Sequence, residues 1–449
     1  MFLRFLGFLL IFLLAGKQVF AARVNLFLNI SEKYEKNLSF KIKRIYLFSQ
    51  KGQEISFHIN RKIEASRPFG QYFLVSQKIP PGKYHQLKLV LEGNKIKKLP
   101  LDFAIRADES LCLFLIWHLK ASLDHPEEAP VLSARPQRRP LGEDTVYVSC
   151  EDLDTVFAIR TDLNQVQASV GVPGDPKDLV LHQQRLFVLS AKNRSIYLVE
   201  TSSFRIRDRI FLPLVIEPSY LLVLPDNSAV VTDPRGQYLI RLDLTSGELL
   251  GSKRLGRQPL ELFFDPGENL LLVSSPLDQV VFGLTPDLSL VKRLAVQSPR
   301  GLLVTQGRLY VAEYNPGLVG IFSFPGGQKI YEMRSGRGCV HLYLVGKRIF
   351  ISNQKEGTIS ILRLGQKSIS KKIRVGGTPF SLISCARRRW LYVANRKKQS
   401  LTVIDLTSEK MMGEVELGGV PFGLSGTENS QGESRCWPPN CSAFTSPSF

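Results

Sequence analysis

The sequence predicts an all-β chain: an N-terminal antiparallel β-sandwich followed by a seven-bladed β-propeller closed by a C-terminal inner strand. Three observations carry that prediction. Strand-like anchors recur at Val148, Val188, Val231, Val273, Val311, Ile351 and Val393, with gaps of 40, 43, 42, 38, 40 and 42 residues. A second register runs in phase through Leu179, Leu221, Leu262, Leu302, Leu342, Leu382 and Leu424. Three positions before each stands Pro176, Pro218, Pro259, Pro299, Cys339, Pro379 or Pro421. Upstream of the repeat, residues 22–123 alternate apolar and polar with no helical period. A sheet of about 40 residues cannot bury both faces alone, so seven such units gain a core only by stacking around a ring.

The elements follow in chain order. Residues 1–21 join Arg4 to an apolar run over 5–15 and to Val19 and Ala21 at the −3 and −1 positions. That is the pattern of an export signal cleaved after Ala21, and the run is shorter than the roughly 20 residues of a membrane span. No transmembrane span is expected after cleavage. The sandwich is expected over 22–123, where His85, Leu87, Leu89 and Leu91 alternate with Gln86 and Lys88, and turns fall at Lys51-Gly52, Pro80-Pro81-Gly82 and Glu92-Gly93-Asn94. Residues 124–144 carry Pro126, Pro130, Pro136 and Pro140 among charges and read as an extended linker.

The propeller is expected over 145–425. Its first repeat begins at Thr145 without an inner strand, and residues 420–425 supply one spare inner strand after the seventh repeat. Pairing the two would complete blade one and remove the open sheet edges. Residues 426–449 are rich in Ser, Pro, Asn and Gly and are expected to be disordered. Within that tail Cys436 and Cys441 stand close enough for a local disulfide, whereas Cys112, Cys150, Cys339 and Cys385 are scattered on strand-like runs as small core residues.

Tyr392-Val393-Ala394-Asn395 and Tyr310-Val311-Ala312-Glu313, inside the repeat of residues 145–425, resemble the YVTN-repeat (YncE-like) family of exported bacterial seven-bladed propellers. The resemblance implies the fold and says little about chemistry. Pro80-Pro81-Gly82-Lys83-Tyr84 resembles the Pro-x-Gly-x-Tyr strand entry of an exported bacterial sandwich family of unknown function.

Charge singles out one part of the ring. The whole chain of 449 residues has a net charge of +19. Residues 145–327 hold 17 Lys/Arg against 19 Asp/Glu, and residues 328–427 hold 18 against 6. Loops between strands one and two lie on one face of a propeller, and loops between strands two and three on the other. Arg396, Lys397 and Lys398 follow the second strand of blade seven, and on their rim the sequence also places Arg257, Arg300, Arg337 and Lys355. A basic sector on an exported scaffold points to an envelope protein or an anionic envelope polymer or lipid surface as partner. Export argues against nucleic acid.

A second candidate site lies at the mouth of the central channel. The residue before each in-phase leucine is Asp178, Tyr220, Glu261, Gly301, His341, Ser381 or Gly423. Glu261 and His341 would be acid–base partners in an enzyme, with Asp178 or Tyr220 assisting. They come from separate blades, and His341 is the one histidine of the ring. No phosphate loop, nucleophile elbow, calcium loop, haem-attachment motif or zinc knuckle occurs, so neither cofactor nor metal is expected. The leading expectation is a non-catalytic binding scaffold. The alternatives are a propeller-type hydrolase, lactonase or lyase acting at the channel mouth, and an accessory factor for an exported redox system.

Overall fold

The computed structural model describes residues 21–32, 38–138, 144–385 and 389–426. Residues 1–20 of the expected export signal, and the tail with Cys436 and Cys441, lie outside the described residues. Two compact units divide the chain, the first ending at Gln137.

The first unit is the expected sandwich. Its strands are β1 (Ala22–Ile30), β2 (Ser39–Ser49), β3 (Glu54–Glu64), β4 (Gln71–Ile79), β5 (Gly82–Leu91), β6 (Ile96–Ile105), β7 (Ser110–Trp117) and β8 (Leu132–Pro136). They form two four-stranded sheets, ordered β4-β1-β7-β8 and β3-β2-β5-β6. Ile45, Leu47, Leu87 and Leu89 of one sheet and Leu26, Leu28, Leu113 and Leu115 of the other share one buried core.

Three details differ from the sequence reading. The strands β1 and β7 pair in parallel, so one sheet is mixed. Both strands are buried along nearly their whole length, as parallel central strands covered on both faces tend to be. His85 is exposed, because a bulge between Tyr84 and Gln86 shifts its register away from Leu87. The expected linker is partly structured: a short helix α1 (Leu119–Asp124) precedes it, and β8 within it pairs with β7. Its prolines are compatible with that role, because β8 is an edge strand and Pro136 is its last residue.

The second unit is the propeller, with seven four-stranded antiparallel sheets. Blade one combines Thr145–Cys150, Thr155–Arg160 and Gln165–Gly171 with the inner strand Pro421–Gly426, as the spare-strand argument requires. The inner strands touch one another in sequence around the ring, and the closing strand meets those of blades two and seven.

The two sequence registers turn out to be one packing layer. Leu179 pairs with Val188, Leu221 with Val231, Leu262 with Val273 and Leu302 with Val311. Leu342 pairs with Ile351, Leu382 with Val393 and Leu424 with Val148. All fourteen side chains are buried. The in-phase prolines have a different role. In blades one, two, five and seven a bulge separates the proline from its leucine, and in blade six Cys339 takes that place. Proline suits a position where the ladder is already interrupted.

Candidate functional site

The bulges build the channel mouth. Each inserts an extra residue just before the in-phase leucine and so re-aims the two side chains there. These are Lys177 and Asp178 in blade two, Arg300 and Gly301 in blade five, Val340 and His341 in blade six, and Phe380 and Ser381 in blade seven. Phe422 and Gly423 occupy the positions in blade one.

The structure brings Glu261 and His341 together. Nε2 of His341 lies 3.4 Å from Oε1 of Glu261, although they belong to blades six and four. Gly301 of the intervening blade explains how. A Cβ there would stand 2.7 Å from the Val340 carbonyl oxygen and 3.0 Å from Cα of His341, so only glycine lets the strands close up. Gly423 does the same for blade two, where a Cβ would lie 2.9 Å from the Lys177 carbonyl oxygen. Glu261 and His341 are 7% and 3% exposed, so the pair is nearly sealed.

Asp178 and Tyr220 also reach across blade boundaries. The Asp178 carboxylate accepts from the backbone N–H of Leu179 and, at 3.1 Å, from that of Leu221 in blade three. Tyr220 packs against Phe422, their ring centroids 5.7 Å apart, and Phe380 lies 4.9 Å from Phe422 on its other side. These contacts stitch neighbouring blades.

The cationic residues fall on one rim, where the loops between strands two and three and the loops between blades open beside the inner-strand starts. Several are already neutralised. Arg396 forms a bidentate pair with Glu151 of blade one, its guanidinium 5.5 and 5.4 Å from the Phe380 and Phe422 centroids. Lys177 meets the same Glu151 at 3.1 Å, so one carboxylate clasps blades seven, one and two. Lys398 pairs with Glu414 and Arg257 with Asp278. Lys397 is exposed, and among the described residues only its backbone N–H is held, by the Thr378 hydroxyl. The backbone N–H of Arg337 donates to Glu356, which pairs in turn with Lys372. That cationic surround, with Lys372 as the larger part, holds the Glu356 carboxyl below its ordinary range despite partial burial.

Arg300 and Lys355 differ from these. Neither has a carboxylate partner among the described residues. The Arg300 guanidinium lies 5.2 Å from the Tyr314 centroid and the Lys355 ammonium 4.6 Å from it. Nε of Arg300 is buried and has no hydrogen-bond acceptor among the described residues. Two cations thus stand by one aromatic ring, at 5.2 and 4.6 Å from its centroid, and one of them carries an unused buried donor.

Sequence reasoning missed Tyr314, Glu151, Phe380 and Phe422. A signal existed for the two phenylalanines, since they share the repeat position of Lys177 and Arg300, two before the leucine. Tyr314 and Glu151 stand three residues after the anchors Val311 and Val148, the position Arg396 holds after Val393, but the residue type there changes from blade to blade and so gives no signal.

No protein-family model matches the sequence, and no curated protein matches it. Solved structures do match. A functionally unknown protein from Desulfotomaculum acetoxidans DSM 771 superposes with a TM-score of 0.55 at 14% identity, over 64% of this chain and 99% of that one. A "putative 6-phosphogluconolactonase" from Bacteroides fragilis NCTC 9343 gives 0.54 at 15% identity, over 64% and 98%. Another protein so described, from Bacteroides uniformis ATCC 8492, gives 0.55 at 14% identity, over 64% and 100%. At such identities the likeness is one of propeller fold.

Proposed function

We propose that this chain is an exported binding protein of the YVTN-repeat type, whose propeller rim at blades five and six captures an anionic component of the cell envelope. The observation that carries the reading is the cluster of Arg300, Tyr314 and Lys355. Buried donors are normally satisfied, and an oxyanion seated there would accept from the Arg300 guanidinium while neutralising both cations. Arg337 and Lys397 extend the positive surface. Export is supported by the signal-like residues 1–21. The test is capture of lipid-extracted envelope fractions by the chain from Ala22 onward. Arg300→Gln with Lys355→Gln should lower the captured amount at least tenfold, and unchanged capture would overturn the reading.

One observation favours a second reading, hydrolysis at the channel mouth. Glu261 and His341 sit 3.4 Å apart, a separation suited to proton exchange, and two structural neighbours carry the description "putative 6-phosphogluconolactonase". Their burial weighs against it, because a substrate must first reach them. Turnover of a sugar lactone that Glu261→Gln abolishes without unfolding the chain would favour this reading over the first.

A further inference from the structure

Blades two to four of the same rim carry a different kind of surface. The connection from blade two to blade three, residues 212–219, is the longest of the seven inter-blade loops. It projects apolar side chains outward: Phe211, which ends the outer strand of blade two, is 58% exposed, Leu214 56% and Ile216 54%. Leu277, in the loop between strands two and three of blade four, is 56% exposed.

These tips are held rigidly. Leu212 and Val215, alternating with the exposed residues, are buried in the core of blades two to four. The Asp233 carboxylate accepts from the backbone N–H groups of Ile216, Glu217 and Gly236, tying the loop to blade three. Leu214 has φ +66°, a conformation that costs a bulky residue strain and is kept here by anchors on both sides.

Cations surround the tips. Lys192, Arg194, Arg235, Arg254 and Arg257 are all exposed on this rim. The acids of the sector are mostly engaged inward: Asp233 on the loop amides, Asp278 on Arg257 and Asp175 on Lys177. Glu217 stays at the surface beside Arg235.

From this juxtaposition we infer that the rim of blades two to four docks onto an anionic lipid bilayer, with Phe211, Leu214, Ile216 and Leu277 entering the interfacial layer and Lys192, Arg194 and Arg254, the cations of this rim with no carboxylate partner among the described residues, contacting headgroups. Two features favour a membrane over a folded partner. The apolar residues are exposed tips carried on two separate loops, whereas a stable protein interface needs a continuous complementary core. A fluid interface accepts separate apolar tips, and anionic headgroups match the flanking charge. This sector does not include Arg300 or Lys355, so the docking inference and the proposed function fail separately.

The experiment is co-sedimentation of the chain from Ala22 onward with vesicles of phosphatidylglycerol and phosphatidylcholine, and with pure phosphatidylcholine. Binding to the anionic vesicles is expected to weaken at least tenfold in Leu214→Ser/Ile216→Ser, and to persist in Arg300→Gln/Lys355→Gln. Both loop side chains are more than half exposed, so the serine variant should melt like the parent. In Leu214→Trp, the added tryptophan's emission should move to the blue on anionic vesicles. The inference is overturned if anionic vesicles sediment no protein, if the serine variant binds as well as the parent, or if the tryptophan emission stays where it is.

Discussion

Gly301 and Gly423 hold the channel mouth together by what they lack. A methyl group at either would press on backbone carbonyl and Cα atoms, which cannot rotate aside. Gly301→Ala and Gly423→Ala should each destabilise the fold by about 1–3 kcal/mol, read from urea midpoints. Gly301→Ala should in addition part Glu261 from His341. The cysteines give a second prediction at this scale. Burial pushes the Cys339 thiol up to about 12 and the Cys150 thiol well above its ordinary value. Mass mapping after alkylation at pH 8 should find Cys112, Cys150, Cys339 and Cys385 protected until denaturant is added. Repeat phase alone made Asp178, Tyr220, Glu261 and His341 legible as a ring. It could not show which of them meet, because that depends on two glycines whose role is to leave space.

Each blade is legible because one layer repeats, a leucine opposite a β-branched residue. The asparagine that ends Tyr392-Val393-Ala394-Asn395 shows what else the repeat encodes. Oδ1 of Asn395 accepts from the Thr378 N–H at 3.0 Å, and Nδ2 donates to the Gly376 carbonyl at 3.0 Å, fixing the loop into blade seven. Asn395→Ala would strand both groups and should cost about 1–3 kcal/mol in thermal or urea unfolding. The closing strand matters more. Ending the chain after Gly419 would leave Thr145–Cys150 as an open edge and remove the partner of Val148. Such a chain should lose its cooperative melt and aggregate, as light scattering would register. β8 was harder to read. Proline density argued for a linker, yet an edge strand demands ladder donors on one side only, and nothing local in residues 132–136 announces the β7 partner.

Across the whole molecule, composition identified an uneven charge and could not say how much of it was free. Arg257, Arg396 and Lys398 belong to the basic rim by position but are matched by Asp278, Glu151 and Glu414, which lie 21, 245 and 16 residues away along the chain. What remains is the smaller site at Arg300, Tyr314 and Lys355. Stability should depend on pH in a way set by two kinds of group. The backbone N–H of Thr407 and the Ser408 hydroxyl hold the Asp405 carboxyl low, and amides of Ser246 and Thr245 do so for Asp243. Their folded pKa values lie below the unfolded value of about 3.9, so the stability they lend is present above that and is lost as pH falls below it. Cys339 acts in the opposite sense. Its folded pKa is raised to about 12, so its contribution is complete below about pH 9 and is lost as pH climbs towards 12. On account of these groups, urea midpoints should fall as pH drops below about 4 and again as it rises above about 9.

The most direct test of binding at the rim, as opposed to chemistry in the channel, compares two single variants in one assay. The dissociation constant of the captured envelope component would be measured for the parent chain, for Arg300→Gln and for Glu261→Gln. Arg300→Gln should weaken binding tenfold or more, equivalent to about 1.4 kcal/mol, while Glu261→Gln leaves it unchanged. Undiminished binding by Arg300→Gln, with loss confined to Glu261→Gln, would contradict the account and move the functional site into the channel.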